Sequence, residues 1–157
     1  MDFERFLSDK SSTTALLKKL SNKYSLKLLQ VEENKDCYRR VVLISLDNKP
    51  IIFGVSQADH ASGTFRNILK TAKLVPIGEQ LFLDNSGIVR DSMEISTVTV
   101  AEIDDNLVRE YLSSNGYSAN FKLYVRRSIF KKNAEELLLI EYIFPLLADF
   151  LRQGKQA

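Results

Sequence analysis

The sequence is poor in the residues that commonly serve nucleophilic, redox or metal chemistry. Its 157 residues include one cysteine, Cys37, one histidine, His60, and no tryptophan. A single cysteine excludes an internal disulfide and a thiolate metal cluster. A single histidine leaves no zinc site of common type unless carboxylates supply most ligands. His60 lies in the polar stretch Gln57-Ala58-Asp59-His60-Ala61-Ser62-Gly63 and reads as a surface residue, while Cys37 precedes a strand and reads as a small packed one. There is no glycine-rich phosphate loop and no G-x-S-x-G nucleophile elbow. No apolar run approaches the ~18 residues that cross a bilayer. The opening Met1-Asp2-Phe3-Glu4-Arg5-Phe6-Leu7 carries acidic residues and no long apolar stretch, so no signal peptide is expected. The formal net charge of +2 is too small to call for nucleic acid or an anionic membrane. Together these absences predict a cytoplasmic, metal-free domain without a cofactor, a nucleic-acid partner or membrane insertion.

What is present is an ordinary globular composition, 45% hydrophobic and 27% charged, on a chain long enough for one domain over residues 1–157. Ser12-Thr13-Thr14 can cap a helix that carries Leu16, Leu17 and Leu20, with Lys18, Lys19 and Lys23 as its solvated side. Residues 25–31 alternate like a short strand. Two stronger strand signals, 38–46 and 51–56, flank the turn formers Asp47-Asn48-Lys49-Pro50 and predict a hairpin. A helix is expected over 62–70, a short strand over 81–83 and a longer Ile/Val/Thr-rich strand over 88–100. Residues 103–114 read as an amphipathic helix with Gly116 as its stop. A second hairpin, 121–130 and 137–144, turns at Lys131-Lys132-Asn133, and a short helix follows over 146–152. The pattern predicts an α+β fold with a single antiparallel β-sheet flanked by helices.

One residue is out of place in this scheme. Glu141 sits inside Leu137-Leu138-Leu139-Ile140-Glu141-Tyr142-Ile143-Phe144-Pro145, sharing a strand face with Leu137, Leu139 and Ile143, while the opposite face is equally apolar. A buried, unpaired carboxylate costs several kcal/mol, so Glu141 calls for a cationic partner, a proton-transfer role or a ligand, unless the strand end emerges into solvent near Pro145. Arg40 shares a face with Val42, Ile44 and Leu46, and Arg127 shares one with Leu123, Val125 and Ile129. Arg126 points the other way, with Lys122 and Tyr124, and reads as solvated. A guanidinium keeps its charge, so Arg40 and Arg127 need either an ion pair, one of them with Glu141, or a bound anion. Buried arginines beside a buried carboxylate suit a small carboxylated ligand.

Four blocks, in order, resemble the chorismate pyruvate-lyase family. They are Ser12-Thr13-Thr14-Ala15-Leu16-Leu17; Arg40 to Pro50, continuing to Gly54; Pro76-Ile77-Gly78-Glu79-Gln80-Leu81-Phe82 with Val89-Arg90-Asp91; and Arg126-Arg127-Ser128 with Leu137 to Pro145. The resemblance implies a chorismate lyase-like fold and the cofactor-independent conversion of chorismate to 4-hydroxybenzoate and pyruvate, which usually feeds ubiquinone synthesis. It implies that Arg40 and Glu141 are catalytic, that Arg40 and the Ile77 amide hold the ring carboxylate, and that Gly54 and Thr13 line the pocket. Arg127 is the expected anchor for the second carboxylate, and a monomer is expected. Departures are a short connection between Val31 and Arg40, Val55 where an arginine commonly follows the glycine, an extra C-terminal helix, and an insertion whose helix, 103–114, is a candidate replacement lid. The alternative is a non-catalytic domain of the same fold that binds aromatic carboxylates, as in some bacterial regulators. Only 24 residues precede the first expected strand, so a preceding helix-turn-helix is not expected.

Overall fold

Tight turns set the sheet. Asp47 and Asn48 both have positive φ, 52° and 63°, as a two-residue hairpin turn requires, and Asn133 at 56° does the same for the second hairpin. Pro50, which cannot donate to a ladder, sits where the pairing register shifts beside Ser45. The computed structural model describes residues 1–83 and 85–154. In chain order the elements are α1 (Phe3–Ser8), α2 (Thr13–Leu20), β1 (Tyr24–Glu33), β2 (Cys37–Leu46), β3 (Lys49–Asp59), α3 (Gly63–Ala72), α4 (Gly78–Leu81), β4 (Val89–Thr99), a 3₁₀ turn (Val100–Glu102), α5 (Asn106–Ser114), β5 (Lys122–Lys132), β6 (Glu135–Ile143) and α6 (Leu147–Gly154). The strands form one antiparallel sheet in the order β1-β2-β3-β6-β5-β4. The architecture is α+β, as expected.

Both hairpins, the capped helix at Ser12 and the terminal helix form where the sequence places them, with Ser12 Oγ accepting from Ala15 N at 3.3 Å. Three expectations change. The strand expected over 81–83 is absent: Pro76 precedes a single helical turn in which Gln80 N and Leu81 N both donate to Ile77 O. The helix expected to begin at 103 begins at Asn106, because Asp105 caps it through Val108 N at 3.0 Å. Near the N-terminus, α1 forms over residues left unassigned, capped by Asp2 Oδ1 accepting from Arg5 N at 2.8 Å.

The two faces of the sheet are covered differently. On one face α1, α2 and α6 pack with Ile44, Leu46, Ile52 and Ile143 into one apolar cluster, while α3 and the turn α4 pack with Tyr38, Ala58, Phe130 and Leu137 into another. On the other face α5 packs through Val108 and Leu112 onto Val41, Leu43, Phe53, Val55 and Leu123. Two core clusters on one face leave a gap between them. No described helix is long and apolar enough to cross a membrane.

Candidate functional site

Strand register builds the floor of that gap. Val42 faces Gly54, Gly54 faces Glu141, and Glu141 faces Arg126 across four adjacent strands. The neighbouring row runs Arg40, Ser56, Leu139, Ser128. Arg40 and Glu141 thus stand two strand spacings and two residues apart on one face, roughly 12 Å between Cα atoms. Gly54 lies between them and offers no side chain. A Cβ there would meet Val42 Cγ2 at 3.3 Å. The glycine keeps a flat strip of floor between a cation and a carboxylate.

Glu141 is buried, 5% exposed, and it is paired. Arg126 grips it in a fork, Nε to Oε1 at 2.9 Å and Nη2 to Oε2 at 3.0 Å. Arg126 is itself 1% exposed and its other hydrogens are committed: Nη1 donates to Phe6 O at 3.0 Å and Nη2 to Thr13 Oγ1 at 2.5 Å. It thereby adds a second hydrogen bond to a carbonyl in the last turn of α1, which also accepts from Asp9 N at 3.2 Å. Arg126 was expected to be solvated; it is instead the partner of Glu141. The second hairpin decides this, because a register that pairs Lys132 with Glu135 also pairs Arg126 with Glu141 and puts both on the same face.

Arg40 is 2% exposed, and its situation differs. Nη2 donates to Lys73 O at 2.8 Å and Val75 O at 2.9 Å, while buried Nε has no partner. Among the described residues no carboxylate lies within salt-bridge distance of Arg40, and burial pushes its proton affinity below the ordinary guanidinium value. This is a desolvated cation held by two backbone carbonyls.

The roof comes from residues 73–82 and the start of α2. Thr13, Thr14, Pro76, Ile77, Gly78, Leu81 and Phe82 close over Arg40, Gly54, Ser56, Leu139 and Glu141, and Arg90 enters from β4. A Cβ on Gly78 would meet Thr14 Oγ1 at 3.2 Å, so glycine permits this close approach of α4 to α2. Among the described residues, nothing accepts from the Ile77 N–H. The cavity volume is about 60 Å³, room for about two waters at their liquid volume. Of the residues singled out in the sequence, Arg40, Gly54, Thr13, Ile77 and Glu141 therefore meet at one cavity.

Arg127 does not join them. It is exposed on the opposite face, in an open groove with Val125, Ile140 and Tyr142. Alternation correctly grouped it with Val125, but that set faces away from Glu141. Nor is the 103–114 segment a lid: α5 covers the far face, so the insertion and the cavity are separated by the sheet. Val55 also points to that far cluster. The short 31–40 connection is a tight β1–β2 turn, with Asn34 Oδ1 accepting from Asp36 N and Cys37 N at 2.8 and 2.9 Å, and it contributes nothing to the roof. Sequence reasoning missed Arg90 as a lining residue, although it stands within a quoted motif.

The family model for chorismate lyase matches residues 11–149. The chain belongs to the chorismate lyase family. A relative from Psychromonas ingrahamii, named probable chorismate pyruvate-lyase, is 29% identical over 93% of this chain and 84% of its own length. Among solved structures, the C-terminal domain of the histidine utilization repressor from Pseudomonas syringae pv. tomato superposes with a TM-score of 0.56, at 6% identity over 78% of this chain and 92% of that one. The C-terminal domain of PhnF gives a TM-score of 0.56 at 10% identity, over 83% and 87%. At such identities these two structures show a shared fold and carry no chemistry.

Proposed function

We propose that this member of the family is a chorismate pyruvate-lyase that converts chorismate to 4-hydroxybenzoate and pyruvate. The observation that carries the reading is Arg40, a buried guanidinium without a carboxylate partner among the described residues, facing the ion-paired Glu141 across the bare strip at Gly54. A ring with a carboxylate at one end and a hydroxyl at the other fits this polarity. Arg40 and the Ile77 N–H hold the ring carboxylate, Thr13 and Gly54 bound the ring, and Glu141 meets the 4-hydroxyl.

Glu141 already accepts from Arg126 through both oxygens, which suits a charged acceptor rather than an acid. In this reading it accepts the hydrogen bond of the 4-hydroxyl and fixes the ring. The C3–O bond then breaks, its electron pair leaving with the enolpyruvyl oxygen. The C4–H pair becomes the third ring double bond, and the C4 proton ends on the pyruvate methyl. Aromatisation drives the step, and the protein contributes orientation in a site closed to water. The cavity is tighter than the substrate, so binding displaces residues 73–83, where Leu74, Val75 and Leu83 already stand in solvent.

The test is purified protein with chorismate, following pyruvate through a coupled dehydrogenase and 4-hydroxybenzoate by chromatography. Equal appearance of both products, lost in Glu141→Ala, is expected. Absence of turnover would overturn the lyase reading, and tight binding of 4-hydroxybenzoate without turnover would leave a binding domain.

A further inference from the structure

We propose that Arg90 holds the second carboxylate of the ligand, the one on the ether side chain that leaves, and so sets the preference of this pocket for a dicarboxylate. The proposal rests on the reading of the pocket given above.

Arg90 reaches the cavity because of a backbone irregularity. On β4, Met93 pairs with Ser128 and Ile95 with Arg126, so the odd-numbered residues face the cavity side. Strict alternation would put residue 90 on the far side. The register shifts between Arg90 and Ser92, leaving Asp91 as the extra residue, and Arg90 pairs with Phe130 on the near side. A bulge on an edge strand re-aims the side chain that precedes it.

The guanidinium is positioned but not satisfied. It lies 4.8 Å from the ring centre of Phe130 and 5.5 Å from that of Phe82, and the two rings meet edge to face. Its polar contacts are long: Nη1 is 3.4 Å from Asp9 O and 3.8 Å from Met93 Sδ, and buried Nε has no partner. Among the described residues no carboxylate comes within salt-bridge distance. Aromatic contacts hold the plane of a guanidinium and leave its hydrogen-bonding edge for an anion. Burial lowers its proton affinity, and the Glu141 charge partly offsets this.

Charge and position agree on the ligand. Arg126 is matched by Glu141, whereas Arg40 and Arg90 line the cavity with no ion-pair partner among the described residues, which gives one cation for each carboxylate of a dianion. Arg40 approaches from β2 and Arg90 from β4, four strand spacings or roughly 19 Å apart across the sheet, with β6 between them in strand order and Glu141 displaced along the strands. In chorismate the ether side chain is on the ring carbon next to the one bearing the hydroxyl. With that hydroxyl at Glu141 and the ring carboxylate at Arg40, one of the two ring edges beside the hydroxyl faces β4, and a side chain on that edge meets Arg90.

Two probes separate this role from a structural one: 4-hydroxybenzoate, with one carboxylate, and 3-(carboxymethoxy)-4-hydroxybenzoate, which adds a second on an ether beside the hydroxyl. Their affinities are measured by calorimetry on the wild type, Arg90→Met, which keeps apolar bulk between the rings, and Arg90→Lys, which keeps the charge. Arg90→Met is expected to weaken the dicarboxylate by about tenfold or more while 4-hydroxybenzoate changes by less than about twofold, with Arg90→Lys between wild type and Met. Equal weakening of both ligands in either variant, or of neither, overturns the assignment and leaves the pocket reading standing. A wild type that binds neither probe overturns the pocket reading, and the Arg90 assignment falls with it.

Discussion

If Arg40 is kept for a ligand, replacing it should weaken binding strongly at a small net cost to the empty protein. The substitution is Arg40→Met, which preserves much of the volume and removes the charge. Two hydrogen bonds are lost, to Lys73 O and Val75 O, worth about 1.5–3 kcal/mol each for a charged donor. Against this, a lone guanidinium no longer has to be kept out of water, a penalty of several kcal/mol. The exposed backbone around Lys73 and Val75 can find solvent once Arg40 is gone. The two contributions nearly cancel, so the free protein should stay within about 2 kcal/mol of wild type. Binding is a different matter. Truncating one side of a desolvated charge pair costs about 2–5 kcal/mol.

Thermal unfolding with and without 4-hydroxybenzoate reads both effects. At about 100 times Kd the ligand adds about 2.7 kcal/mol to wild type, a Tm rise of about 5–11 °C for a chain of this size. For Arg40→Met at the same ligand concentration the rise should fall to about 3 °C or less. Destabilisation of the free protein by more than about 4 kcal/mol with the ligand shift intact would refute the reasoning. Arg40 would then be a clamp that pins residues 73–75 to the sheet.

Arg126→Met strands Glu141 as an unpaired buried charge, so unfolding by denaturant should show a loss of about 3–5 kcal/mol; adding Glu141→Gln in the same chain should recover part of it, and no recovery would mean the pair is not desolvated. Gly54→Ala should leave the melting temperature within a few degrees, since Val42 Cγ2 at 3.3 Å has only to give slightly, yet weaken 4-hydroxybenzoate by about tenfold or more as the methyl fills the floor. Glu135 accepts from Thr64 N at 2.7 Å and Thr64 Oγ1 at 2.6 Å, and these bonds hold its carboxyl below the usual value of 4.5. A depressed carboxyl stabilises fully above that ordinary value, which holds in the unfolded chain, and loses that contribution as pH falls through the lower folded value. The stability gap between wild type and Glu135→Gln should therefore shrink on acidification below about pH 4; a gap that is flat with pH would remove Glu135 as the tie between α3 and β6.

Much of the fold was legible because its determinants are local. Asp47-Asn48 and Asn133 announce two hairpins through the backbone they tolerate, Ser12 announces a helix start, and alternation marks the long strands. The candidate pair Arg40 and Glu141 was legible for a related reason: a charge within an apolar alternation needs an explanation wherever the strand is placed. The turn at α4 was not legible, since Leu81 and Leu83 two apart look alike in a strand and where a helical turn ends at Leu81 and leaves Leu83 exposed beyond it.

The partner of Glu141 marks the boundary. The sequence alone determined that Arg126 and Arg127 point to opposite faces, because successive residues on a strand must. It did not determine which face meets the cavity, because both faces of this sheet are covered and neither is evenly polar. Pairing of β5 with β6 settled that question by placing Arg126 across from Glu141 and turning Arg127 to the far side. In the same way α5 was visible as an amphipathic helix, but only packing showed that its apolar stripe covers the face away from the cavity. Arg90 is the extreme case: a one-residue bulge reverses the side on which it points, and such a bulge is set by how an edge strand fits its neighbour.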